Sequence, residues 1–153
     1  MKSKLLKYAE SSDIMNITIK YGRERFSFNL NEELRINENI INSQIKDQPT
    51  SYAFLTMLQQ KLIKLAKDKE FELQKIYARQ LESLRGGKDP STGRPPSKDS
   101  CEVIILASDE YQEKAKELVL IESNANTIRR AVEAFEQRKD ILQTLSANLR
   151  KEK

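Results

Sequence analysis

Residues 49–85 and 109–150 form two long stretches in which apolar residues recur at helical spacing, and Pro49 is the only chain breaker in either. Of the four glycines and four prolines in the chain, six fall between residues 86 and 96. Breakers confined to one short segment leave the flanking stretches free to propagate as helices. Two long helices joined by a loop that can reverse direction predict an antiparallel helical hairpin or coiled coil, so the expected fold class is mostly α.

The first stretch predicts a helix over 49–85, with Pro49 in its first turn, where a missing N–H costs nothing. At about 100° per residue the helix has two faces. One holds Leu55, Leu58, Leu62, Leu65, Ala66, Leu73, Ile76, Tyr77 and Leu84. The other holds Lys61, Lys64, Lys67, Lys75, Arg79 and Arg85, interspersed with Asp68, Glu72 and Glu82. Met57 and Phe71 lie among these charges, out of register with the apolar stripe.

The segment GGKDPSTGRPPSKDS, residues 86–100, is a loop on its turn chemistry alone. In the next run, Val103-Ile104-Ile105-Leu106 suits a buried strand. Asp99 three residues before Glu102 resembles a capping box, which favours a short helix over 101–107. Asp109 then opens a last helix over 109–150. Leu118, Ala125, Val132, Lys139 and Ser146 fall on one heptad position, with Ile121, Ile128, Phe135, Leu142 and Leu149 on the other. A strict seven-residue repeat implies a supercoil against a partner helix. Val119, Ile141 and Leu145 widen the stripe beyond one partner. The expectation is self-association, with Leu118, Ile121, Ile128, Val132, Phe135, Leu142 and Leu149 as the oligomer seam.

Residues 1–48 differ in character. Residues 1–12 read as a mobile, lysine-bearing lead-in. Ile17, Ile19 and Tyr21 alternate with polar residues, as do Phe26, Phe28 and Leu30, around a turn-like Gly22-Arg23-Glu24-Arg25. This predicts a small β-hairpin, which must pack on a helix or a neighbouring subunit because two strands alone are marginal in water. Asn-rich residues 31–50 suit short helices around Glu32–Ile36 and Glu38–Gln44. The chain thus divides into 1–48, suited to oligomerisation or docking, and the helical hairpin 49–153.

Composition narrows the chemistry. Histidine is absent and Cys101 is the only cysteine, so no internal disulfide and no Cys/His metal site can form. A thiol with no histidine to activate it reads as structural. A general base would have to be a carboxylate or lysine in a pocket that the pattern does not reveal. Acid pairs such as Glu32-Glu33 and Asp109-Glu110 sit at helix starts, where the dipole accounts for them. No GxxxxGK[ST] or GxGxxG sequence occurs, and Gly86-Gly87-Lys88 lacks the context of a phosphate loop. The reading is non-enzymatic, with no cofactor. No run approaches the roughly 18–20 apolar residues of a membrane span, and no signal peptide is evident, so an intracellular protein is expected.

The net charge of +4 is unevenly spread. Residues 61–100 hold ten basic and six acidic groups, whereas 1–60 net one positive charge and 101–153 one negative. Lys64, Lys75 and Arg79 lie within about 60° on the polar face, with Lys61 at its edge. Arg85, Lys88, Arg94 and Lys98 carry the charge into the loop. Such a stripe neutralises phosphates without reading sequence. Phe71 is placed to stack on a base, and its bland alternative is packing against another subunit's helix. The bland alternative for the stripe is a salt-bridged solvated face.

The segments PTSYAFLTMLQQKL and LIKLAKDKEFELQKIYARQLES, the loop, and SDEYQEKAKELVLIESNANTIRRAVEAFEQRKDILQTLSANLRKEK together resemble the UvsY family of phage recombination mediators. The likeness spans residues 49–153, and AVEAFEQRKDILQTLSANLRKE is its most specific part. It implies a homo-oligomer, ring-forming, that binds single-stranded DNA in the cytoplasm of an infected bacterial host. Its partners would be a recombinase, which it helps to load, and the single-strand-binding protein displaced in the process. In the family a lysine and an arginine in an LKARL-like stretch contact DNA. The similar stretch here is Leu73–Arg79, with extra residues between the pair, so Lys75 and Arg79 inherit that role. Lys61, Lys64, Phe71, Lys75, Arg79, Arg85, Lys88 and Arg94 make up the expected DNA-binding set. The competing reading is a structural or scaffolding coiled-coil protein of a phage particle, its charges kept for solubility.

Overall fold

The computed structural model describes all residues 1–153. It is 76% helical, with one two-stranded antiparallel sheet near the N-terminus. In chain order the elements are α1 (Lys4–Ser11), β1 (Asn16–Tyr21), β2 (Glu24–Asn29), α2 (Leu30–Leu34), α3 (Ile41–Arg85), α4 (Lys98–Ala107) and α5 (Asp109–Lys151). No helix is long and apolar enough to cross a membrane. Two compact units form: residues 1–60 with 124–153, and residues 61–123. Both long helices contribute to each unit.

In the first unit the hairpin pairs Ile17 with Phe28 and Ile19 with Phe26, and Tyr21 with Glu24 across the turn. Gly22 has φ +61° while Arg23 stays in the ordinary region, so the loop is two residues long, with the positive φ at its first position. That conformation matches the twist of paired strands and is open to glycine at little cost. Ile17 and Ile19 point inward and are buried. Phe26 meets Phe54 of α3 edge-on, ring centroids 5.2 Å apart, so a helix of the same chain supplies the packing the hairpin needs.

Asparagines then act as caps. Asn29 Oδ1 accepts from the Glu32 amide at the start of α2, and Asn37 Oδ1 accepts from Asn39 in a 3₁₀ turn over Glu38–Ile40. That turn runs directly into α3, which begins at Ile41 instead of near residue 49. Pro49 therefore lies inside a helix. An interior proline costs about 3 kcal/mol, and packing on either side offsets it. Ile41 and Gln48 are buried, Gln48 Nε2 donates to the Phe135 carbonyl (2.7 Å), and Tyr52 donates to Glu136 (2.7 Å). Residues 41–43 share a groove with 146–150, and 45–52 share one with 136–143, so α3 and α5 run antiparallel within this unit. Its core combines Leu55 and Leu58 with Ile128, Ala131, Val132, Phe135 and Leu142.

Where a mobile, lysine-bearing lead-in was expected over residues 1–12, Lys4–Ser11 form the helix α1. Ser3 Oγ caps α1 by accepting from the Leu6 amide, and Lys2 pairs with Glu10 at 2.7 Å. None of the residues of α1 is buried.

In the second unit Leu62, Ala66 and Ile76 of α3 are buried, as are Cys101 and Ile105 of α4. The ambiguous run 103–106 is helical. Helix α4 starts at Lys98 under a Ser97 cap, two residues before the Asp99 cap of the expected box. Ser108 caps α5 by accepting from the Tyr111 amide, and it also bonds to Gln80 of α3. Lys69, Glu72, Lys114 and Glu117 interlock across α3 and α5 at 3.2–3.5 Å, running antiparallel here too.

The heptad seam turns inward. Ile128, Val132, Phe135 and Leu142 are buried within a single chain, while Leu118, Ile121 and Leu149 are half-buried. Those four cannot serve an oligomer seam without opening the fold. An antiparallel partner helix in the same chain produces the same heptad pattern as one in another subunit.

Candidate nucleic-acid interface

The expected DNA-binding residues all fall in the second unit. Helix α3 sets their spacing. Lys67, Phe71 and Lys75 lie four residues apart, so they stack along one face, about 6 Å per step. The whole line from Lys61 to Arg85 stays on solvent because Leu62, Ala66 and Ile76 hold the opposite face in the core.

Ion pairing divides the cations. Lys64 reaches Asp68 at 3.0 Å, one turn further along α3. Arg79 bonds to Glu110 of α5, which also accepts from Gln80 at 3.1 Å. The Arg79 contact, followed by that of Gln80, holds the Glu110 carboxyl below its ordinary range. The expected pair is thus split: Lys75 makes no ion pair, whereas the charge of Arg79 already answers a carboxylate. Lys61, Lys67, Lys75, Arg85, Lys88 and Arg94 are exposed, and none has a carboxylate within 4 Å.

Phe71 is 62% exposed, as is Met57. Neither finds a partner in the core, so each puts apolar surface into water beside lysines. Lys67, placed on the basic face but not in the expected DNA-binding set, lies four residues before Phe71 and is exposed.

The loop after α3 is ordered by Asp89. Its carboxylate accepts from the Ser91 amide (2.9 Å) and hydroxyl (2.8 Å), which lowers its pKa. The backbone closes through Asp89 N to the Arg94 carbonyl at 2.7 Å, with Gly93 at φ +67°. This turn holds Lys88 and Arg94 at either end of a short bend, with both side chains in solvent.

Other chemistry is sparse. Cys101 is fully buried, its Sγ facing the Pro96 carbonyl, and no cluster of His, Cys, Asp or Glu is arranged to hold a metal ion. A groove of about 380 Å³ in the first unit is lined by Ile45, Pro49, Tyr52, Glu136, Lys139 and Leu142. Its one acid–phenol contact, Tyr52 to Glu136, raises the Tyr52 pKa, so that hydroxyl keeps its proton.

Arg138, also in the first unit, is 8% exposed. Its Nη1 donates to Gln48 Oε1, its guanidinium lies 5.6 Å from the Phe135 ring centroid, and its Nε has no partner. Burial lowers its pKa against the opposing pull of Glu33 and Asp47. A heptad reading of α5 gives no hint of this residue.

No family model, no curated protein and no solved structure matches the chain.

Proposed function

We propose that the chain is a single-stranded DNA-binding accessory protein of recombination, acting as a homo-oligomer, as its resemblance to the UvsY family implies. On this reading it helps a recombinase to displace the single-strand-binding protein and load, in the cytoplasm of an infected bacterium. One observation carries the DNA-binding part: Phe71, 62% exposed, sits between Lys67 and Lys75, and neither lysine is engaged by a carboxylate. An aromatic face among free cations suits sequence-tolerant binding, in which bases stack and phosphates release counterions.

The test is fluorescence anisotropy of labelled oligo(dT) titrated with the full chain at low and moderate salt. Wild type binds, and binding weakens steeply with salt. Replacing Phe71 by alanine lowers affinity by about 1–3 kcal/mol, the worth of one stacked base, with the salt dependence unchanged. An unaltered affinity in that variant removes Phe71 from the site.

The scaffolding reading draws on a different observation. Lys64–Asp68, Lys69–Glu72 and Arg79–Glu110 already neutralise part of the polar face, as a merely solvated surface does. Under that reading oligo(dT) is ignored at both salt concentrations.

A further inference from the structure

Two short helices expose apolar faces that the chain itself leaves uncovered. In α1, Leu5 is 80% exposed, Tyr8 66% and Leu6 38%, and no residue is buried. An isolated helix shorter than ~12–15 residues is marginal in water, so an eight-residue helix with nothing buried needs a surface to lie on. In α4, Cys101 and Ile105 face the core, while Val103 (69%), Ile104 (52%) and Leu106 (40%) face solvent along its outer side.

The rims of these faces carry opposite free charges. Lys4 borders the apolar residues of α1 and Lys7 lies on its far side, and neither is ion-paired; Glu10, at the other border, is engaged by Lys2. Asp99 and Glu102 lie along the outer side of α4, with Asp109 just beyond its end, and none of the three meets a lysine or arginine within 4 Å; Lys98 at the first residue is the one cation of the helix, so its charge is net acidic. Like charges would keep copies of either helix from pairing with themselves. Opposite charges on apolar faces of similar size set register and suppress wrong pairings.

We infer that α1 of one copy docks on the outer face of α4 of a second copy. The contact is heterologous: each subunit gives one helix and receives another, so the assembly closes as a ring or continues as a filament. The inference rests on the self-association in the proposed function, and is independent of DNA binding.

Cysteine cross-linking tests it. Full-length Leu5→Cys and Val103→Cys, carried on copies of different size, are mixed and mildly oxidised. A mixed disulfide is expected, well above that of Leu5→Cys with Val119→Cys, which is 65% exposed on α5. The native Cys101 is buried, so it adds little background. In sedimentation, Lys4→Glu with Lys7→Glu weakens association about tenfold, and Asp99→Lys with Glu102→Lys in the same chain restores it. Cross-linking no better than the control pair, in a chain that does associate, overturns the inference and leaves self-association standing. A chain that sediments as a monomer at every concentration overturns both. Oligo(dT) binding by the charge-reversed chain reports on the DNA site separately.

Discussion

The pairing pattern of the basic face makes a quantitative prediction for two double variants that remove the same formal charge. In Lys67→Ala with Lys75→Ala, both lost cations are free of carboxylates and flank Phe71. In Lys64→Ala with Arg79→Ala, both are already engaged, by Asp68 and Glu110. For single strands the logarithm of the binding constant falls with the logarithm of salt by about 0.7 per phosphate neutralised. If the six free cations each meet a phosphate, the wild-type slope is about −4, and affinity falls about 300-fold between 50 and 200 mM salt. Without Lys67 and Lys75 the slope shrinks to about −2.8 and the fall to about 50-fold. The Lys64/Arg79 variant keeps a slope near that of wild type, because those side chains must first give up a carboxylate to meet a phosphate. Anisotropy with labelled oligo(dT) at four or five salt concentrations measures all three slopes, and circular dichroism checks that the helices are intact. Equal slopes for the two double variants refute the reasoning, since pairing in the free protein would then not decide which cations bind.

Two further predictions concern stability. Gln48→Leu removes the acceptor of the buried Arg138 guanidinium and should cost about 2–4 kcal/mol in urea unfolding, whereas Gln48→Met with Arg138→Met, which removes the charge as well, should recover most of that loss. An equal loss in the double variant would show that packing, not an uncompensated cation, sets the cost. For pH, Glu72 is depressed chiefly by Lys114 and then Lys69, Glu117 chiefly by Lys69, and Glu110 by Arg79. A carboxylate with a lowered folded pKa adds stability above its unfolded pKa, and that stability is lost as pH falls through the folded value. Thermal scans from pH 7 to pH 3 should therefore show a smaller acid destabilisation in Lys69→Met with Lys114→Met than in wild type. The difference should fade at high salt, since these groups lie in solvent.

The helical hairpin was legible because its cause is local and repeated. Apolar residues at three- and four-residue spacing and a single cluster of glycine and proline leave few other solutions. The β-hairpin was legible for a similar reason, in that period-two alternation around Gly22 carries its own register. What escaped was non-local or too short to repeat. Pro49 looked like a helix start because its neighbours in sequence do not reveal Phe135, Glu136 and Arg138, whose contacts hold the helix together around it. The capped turns of α1 span too few residues to show a period.

The same distinction explains the seam and the basic stripe. A heptad states that a partner helix exists and is silent on whether the same chain supplies it. Here the partner is α3, so Ile128, Val132, Phe135 and Leu142 of the expected seam are spent inside the chain. The wheel likewise placed Lys75 and Arg79 as equals, although Glu110, thirty-one residues from Arg79, engages only one of them. Since the strongest apolar stripe is spent inside the fold, the proposed self-association would have to use surfaces the core did not need. On this chain those include the short helices α1 and α4, and Val119, Leu120 and Ile141 on α5. Charge, more than apolar area, would then choose which surfaces meet, and an assembly built that way should loosen with salt alongside DNA binding. A sedimentation series without DNA, over the salt range of the titrations, separates the two effects, and an assembly indifferent to salt would require an apolar contact other than the ones exposed here.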